Sequence, residues 1–177
     1  MEIKIRQEEE NDFQAVFNLI ENAFEKEEYS DHKEQFLVER LRKSAAYIPE
    51  LALVAEQDGR IVGYLLLTKI KIKDENGKEA ESLALAPVAV LQDFQGKGIG
   101  GQLIRYAHEK ARKLGFGSIV LLGHEQYYPR FGYELTSKYG IRLPFDVPSE
   151  NCMVIELVTG ALQDVQGVVE YPKAFFE

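Results

Sequence analysis

Gln95-Gly96-Lys97-Gly98-Ile99-Gly100-Gly101 sets four glycines and one cation between an apolar run, Leu83 to Leu91, and a long amphipathic pattern. A strand that passes through such a turn into a helix makes an anion site. The first N–H groups of a helix lack intrahelical partners, and the aligned peptide dipoles put partial positive charge there. Glycines allow a tight turn and close approach of the backbone to a phosphate, and Lys97 adds a full charge. Lys97 is followed by Gly98, with no hydroxyl to hold magnesium, so the run is not a P-loop. Gly96, Gly98 and Gly101 match G-x-G-x-x-G, with Glu125 as an acidic residue some way downstream. A dinucleotide fold begins at that fingerprint, however, whereas here a helix pair and hairpins come first.

Ahead of the loop, Pro87 lies within the strand-like run Glu81 to Leu91. Proline cannot donate to a ladder, so a local break is expected there. Such a break frees backbone N–H and C=O groups of Val88 and Val90 for an extended ligand arm. Beyond the loop, Tyr127 and Tyr128 offer phenols for proton transfer, and His124, Glu125 and Glu81 are candidate bases. His108 is expected on the solvent side of its helix. The single cysteine, Cys152, falls in a strand-like run and reads as a buried thiol that has no internal disulfide partner.

Together these segments resemble the GNAT superfamily of N-acetyltransferases. Gln95, Gly98 and Gly100 match its loop [RQ]-x-x-G-x-[GA]. Ala86 to Gln95 looks like the strand that precedes it, and Tyr127-Tyr-Pro-Arg-Phe-Gly-Tyr133 looks like its Tyr-x-x-x-Gly-[FY] segment. The resemblance spans residues 3 to 135, and the C-terminal part is similar to a subgroup of bacterial acetyltransferases.

It implies acetyl-coenzyme A as co-substrate, bound by Val88, Ala89, Val90, Gln95, Gly96, Lys97, Gly98, Ile99, Gly100 and Gly101. The Val88 N–H would polarise the thioester carbonyl. Tyr128, four residues before Gly132, would be the general acid. No metal is implied. The implied reaction moves acetyl to a primary amine of a small molecule or peptide by direct attack. Some family members carry a glutamate where this chain has Ala84, so the base role does not transfer. That departure motivates an alternative, a non-catalytic acyl-coenzyme A sensor.

The elements needed to position these groups are legible as well. Glu2 to Gln7 alternates like a strand, and Phe13, Val16, Phe17, Ile20 and Phe24 recur at helical spacing. Phe36, Leu37 and Leu41 mark a second helix. Leu51 to Gln57 and Arg60 to Ile72 flank the hairpin signal Asp58-Gly59, and Asp74 to Gly77 turns the chain back. Ile99, Leu103, Ala107, Ala111 and Leu114 line one face of the helix after the loop, and Ser118 to Leu122 is the next strand. The expected fold is α/β, a GNAT-like mixed and mostly antiparallel sheet flanked by helices. Residues 1–177 form one domain, with a core over 1–135 and C-terminal strands and a tail over 136–177. The tail's aromatics must be buried, over the sheet or in a homodimer contact.

With 177 residues, 45% hydrophobic and 28% charged, the chain suits one globular domain. A net charge of −8 argues against nucleic-acid binding and suits amine substrates. No apolar run reaches bilayer length, and Met1 to Arg6 carries charges where a signal peptide is apolar, so the cytoplasm is the expected location.

Overall fold

Strand β2 (Tyr47–Gln57) turns into β3 (Arg60–Lys73) through Asp58 and Gly59, at φ 51° and 80°. Both central residues of a two-residue hairpin of this hand need positive φ, which Asp tolerates and Gly adopts freely. At the far end of β3, the Asp74 carboxylate accepts the N–H groups of Asn76 and Lys78, and the chain returns as β4 (Glu79–Val90). These contacts come from a computed structural model that describes residues 2–177; Met1, the first residue of the alternating start, lies outside the described residues.

The other strands and α-helices are β1 (Lys4–Gln7), α1 (Phe13–Phe24), α2 (Glu34–Arg42), α3 (Ile99–Lys113), β5 (Ser118–Leu122), β6 (Glu134–Leu135), β7 (Ile141–Arg142), β8 (Cys152–Glu156) and β9 (Gly167–Glu170). The strands form one mixed, mostly antiparallel sheet ordered β1-β2-β3-β4-β5-β8-β6. Strand β9 pairs with the end of β3 that β2 leaves open, and β7 pairs with β9. Helix α3 carries the parallel crossover from β4 to β5.

Alternation assigns the two faces. Leu51, Leu53, Leu65, Leu67, Leu83 and Leu85 point to α3, where Leu103, Ile104, Ala107 and Ala111 meet them. Ala52, Val54, Tyr64 and Leu66 point to α1 and α2, against Val16, Ile20, Val38 and Leu41. Because both faces are covered, the central strands are buried along most of their length. The C-terminal tail also covers the α1/α2 face: Ala174 is buried there, and its carbonyl accepts Arg40 Nε at 3.0 Å. Phe176 stays 60% exposed.

Helix α2 differs from its expected pattern. Gln35, Val38 and Leu41 are buried, whereas Phe36 is exposed and meets Phe17 edge-on, because α2 lies partly against α1 rather than flat on the sheet. Leu114, expected on the buried face of α3, follows the helix's last residue and is exposed. A buried ionic knot fixes the C-terminal end of α2. The Glu8 carboxylate accepts Arg42 Nη2 at 2.8 Å and the hydroxyls of Tyr47 and Tyr64 at 2.8 and 3.1 Å. Every partner is thus satisfied in a place where a lone charge would be costly. Among the described residues, no helix is long and apolar enough to cross a membrane.

Candidate active site

The glycine turn divides into two kinds of glycine. Gly96 and Gly98 have φ of 76° and 81° with open space around them, so they serve backbone conformation. Gly98 ends the turn as the residue before α3, and no side chain among the described residues caps the helix. The Gln102 N–H is bonded to the Gly98 carbonyl, which leaves the N–H groups of Ile99, Gly100 and Gly101 without helical partners. Gly100 and Gly101 are glycines for close approach. A Cβ on Gly100 would stand 3.2 Å from the Tyr127 hydroxyl, and one on Gly101 would stand 3.4 Å from the Phe131 ring. The Ile99 side chain is buried in the core. Lys97 is exposed, with Nζ 5.1 Å from the Phe94 ring centroid.

Strand β4 breaks at the proline. Leu65 faces Val88 and Leu67 faces Leu85, so Ala86 and Pro87 together oppose Leu66, a bulge. Strand β5 pairs with β4 only at Leu83 and Ala84, and the two strands part beyond them. The Leu91 N–H is bonded to the Val62 carbonyl. By antiparallel alternation, Ala89 therefore bonds to β3, and Val88 and Val90 turn their N–H and C=O groups away from β3 toward the opening. Gln95 Nε2 reaches the outward Val90 carbonyl at 3.1 Å. Ala89, grouped with these valines on sequence, is different. Its backbone pairs with Tyr64 and its methyl is buried.

The two tyrosines have different surroundings. Tyr128 is buried in the α3-side core against Gly123, where a Cβ would lie 2.9 Å from its Cδ2 and closer still to Cε2. Its hydroxyl has no hydrogen-bond partner among the described residues, and burial, reinforced by Tyr127, pushes its pKa above the ordinary tyrosine value. Tyr127 is half-buried and reaches over Gly100.

His108 is buried rather than solvent-facing, because the segment 128–135 covers that side of α3, and its Nε2 lies 2.9 Å from the Tyr133 hydroxyl. Burial and the nearby Arg112 and Arg105 hold its pKa down at about 4, so the ring is neutral. The Tyr133 ring in turn meets Tyr128 edge-on at 5.9 Å. Neither contact is visible in local spacing; the only hint was the aromatic after Gly132 in the tyrosine motif.

The base candidates separate. Glu81 faces Lys71 and lines a cleft of about 650 Å³ beside the tail. Seven residues of strand put it roughly 20 Å from Val88, too far for proton transfer there. His124 and Glu125 are exposed and line a smaller cleft of about 480 Å³ with Tyr127, Arg130 and Asn151. Ala84 is buried between Thr68 and Val120, so no carboxylate stands at that position. Cys152 is buried, and desolvation and then Glu150 push its thiol pKa up, away from thiolate chemistry.

The acetyltransferase (GNAT) domain family matches residues 4–136. The chain belongs to the GNAT acetyltransferase family. It is thus an N-acetyltransferase, with the mixed open sheet of its GNAT relatives. It is 35% identical over 138 residues to the uncharacterized N-acetyltransferase YjhQ of Escherichia coli (strain K12), covering 76% of each chain. Solved GNAT structures are similar over nearly the whole chain. YhbS from Escherichia coli, in complex with CoA, has a TM-score of 0.88 at 29% identity and covers 99% of this chain and 92% of its own. A GNAT acetyltransferase from Brucella melitensis, in complex with acetyl-CoA, has a TM-score of 0.81 at 33% identity, with 98% of both chains covered.

Proposed function

We propose that this chain transfers the acetyl group of acetyl-CoA to a primary amine of a small molecule or peptide by direct attack. The observation that carries the reading is the opening between β4 and β5, where outward backbone groups of Val88 and Val90 adjoin the uncapped start of α3. The CoA and acetyl-CoA bound to the two similar structures support it.

In this reading the turn from Gln95 to Gly101 holds the pyrophosphate with backbone N–H groups, and Lys97 adds charge beside it. Val90 binds the pantetheine arm. The Val88 N–H stabilises negative charge as it develops on the thioester oxygen. The amine nitrogen forms the new C–N bond, the C–S bond breaks, and Tyr128 gives its proton to the departing sulfur. Burial keeps Tyr128 protonated until that moment. The amine proton leaves to water or through His124 or Glu125, and no acetyl-cysteine step is used. Residues 1–177 work as one unit in the cytoplasm, with residues 136–177 completing the sheet and its cover.

Free thiol release from acetyl-CoA across polyamines, amino acids, aminoglycosides and peptides, with calorimetric CoA binding in parallel, tests this. Amine-dependent release is expected, and Tyr128→Phe should lower turnover while leaving CoA affinity intact. CoA binding without release for any amine would favour a binding module. An unchanged rate in Tyr128→Phe would remove that residue from the chemistry.

A further inference from the structure

The hydroxyl of Tyr127 extends over the first turn of α3, 3.2 Å from where a Gly100 Cβ would be, and the same point lies 3.9 Å from Val90 Cγ2. The phenol is therefore brought to the first turn of α3, beside a methyl of Val90. The ring is held on several sides. It meets Phe131 and Tyr128 edge-on at 5.2 and 5.0 Å, and the Arg130 guanidinium lies 4.7 Å from its centroid. Backbone bonds fix the segment beneath it: the Tyr127 N–H donates to the His124 carbonyl at 3.1 Å, and Asn151 Nδ2 donates to the Gly123 carbonyl at 3.0 Å.

Phenylalanine would fill this aromatic packing equally well. The hydroxyl has no hydrogen-bond partner among the described residues and lies against the first turn of α3. A polar group fixed in that position suits a ligand carrying both donors and acceptors.

We propose that Tyr127 is a cofactor-contacting residue, its hydroxyl hydrogen-bonding the pantetheine–pyrophosphate portion of CoA between Val90 and Gly100. The two tyrosines then divide the work, Tyr127 on the arm and Tyr128 at the reacting sulfur. This also gives Gly100 a second reason to be glycine, since a methyl there would displace the hydroxyl from the arm. The inference rests on the proposed use of acetyl-CoA.

The test is calorimetric titration of the full chain and of Tyr127→Phe with CoA, alongside thiol release at saturating acetyl-CoA. Loss of one hydrogen bond should weaken CoA roughly threefold to tenfold. Turnover at saturation should stay within about twofold, since the contact is made equally in ground and transition states. The melting temperature of the unliganded variant should be unchanged, because no bond within the chain is lost. An unchanged CoA affinity overturns the inference. So does a fall in turnover at unchanged affinity, which would move Tyr127 to the reacting end. If the unaltered chain fails to bind CoA, the proposed function falls with it.

Discussion

Gly123→Ala probes the position of Tyr128 without touching its chemistry. Gly123 has no positive φ, so alanine is acceptable to the backbone and the only perturbation is the added methyl. That methyl would lie 2.9 Å from Tyr128 Cδ2 and 3.2 Å from Cζ, with Cε2 closer still. Carbon pairs prefer about 3.5–4.0 Å, so the ring must retreat by roughly 1 Å. Its exits are limited, because Tyr127 and Tyr133 contact it at 5.0 and 5.9 Å between centroids.

A misplacement of about 1 Å at a reacting group can cost on the order of 100-fold in rate, and overpacking of this kind typically costs about 1–3 kcal/mol in stability. Gly123→Ala should therefore remain folded, lose at most about tenfold in CoA affinity through the neighbouring Tyr127, and lose most of its turnover. Thiol release at saturating acetyl-CoA, CoA calorimetry and a thermal melt measure the three quantities. A folded, CoA-binding variant with turnover within twofold of the unaltered enzyme would refute the claim that this buried ring position serves the reaction.

Two further outcomes concern stability. His108 titrates near 4 in the fold and about 6.5 when unfolded, so the unfolded chain takes up the extra proton as pH falls through that window. Stability present above pH 6.5 should decline by at most about 3 kcal/mol by pH 4, and His108→Gln should flatten that part of the urea-measured profile; an identical slope would count against a neutral, buried ring. Arg42→Met leaves the Glu8 carboxylate buried with only the tyrosine hydroxyls and should cost about 3–5 kcal/mol in urea unfolding, whereas a loss below about 1 kcal/mol would mean that the Glu8 charge is relieved in some other way.

Much of the fold was legible because its signals are local. The spacing of Val16 and Ile20 marked α1, Asp58-Gly59 marked a hairpin, and Pro87 marked a break in β4, each through one residue's φ or one element's period. The burial of His108 is not legible in sequence, because the face of a helix reports only its nearest layer. The Tyr133 segment that covers it is 25 residues away in sequence. The exposure of Phe36 is hidden for a similar reason, since its aromatic neighbour is Phe17 of α1.

By itself, the sequence determined the order of elements from β1 to β5, the glycine-rich strand–turn–helix, and the tyrosine spaced from Gly132, because these depend on backbone conformation over a few residues. Tertiary structure decided which backbone groups of β4 face the opening, since that follows from the register against Val62 and the early departure of β5. It also decided that Tyr128 is buried under Gly123 while Tyr127 lies over Gly100. Adjacent residues of one type are alike in local conformational preference, and only packing between α3 and the segment after β5 gives them different surroundings.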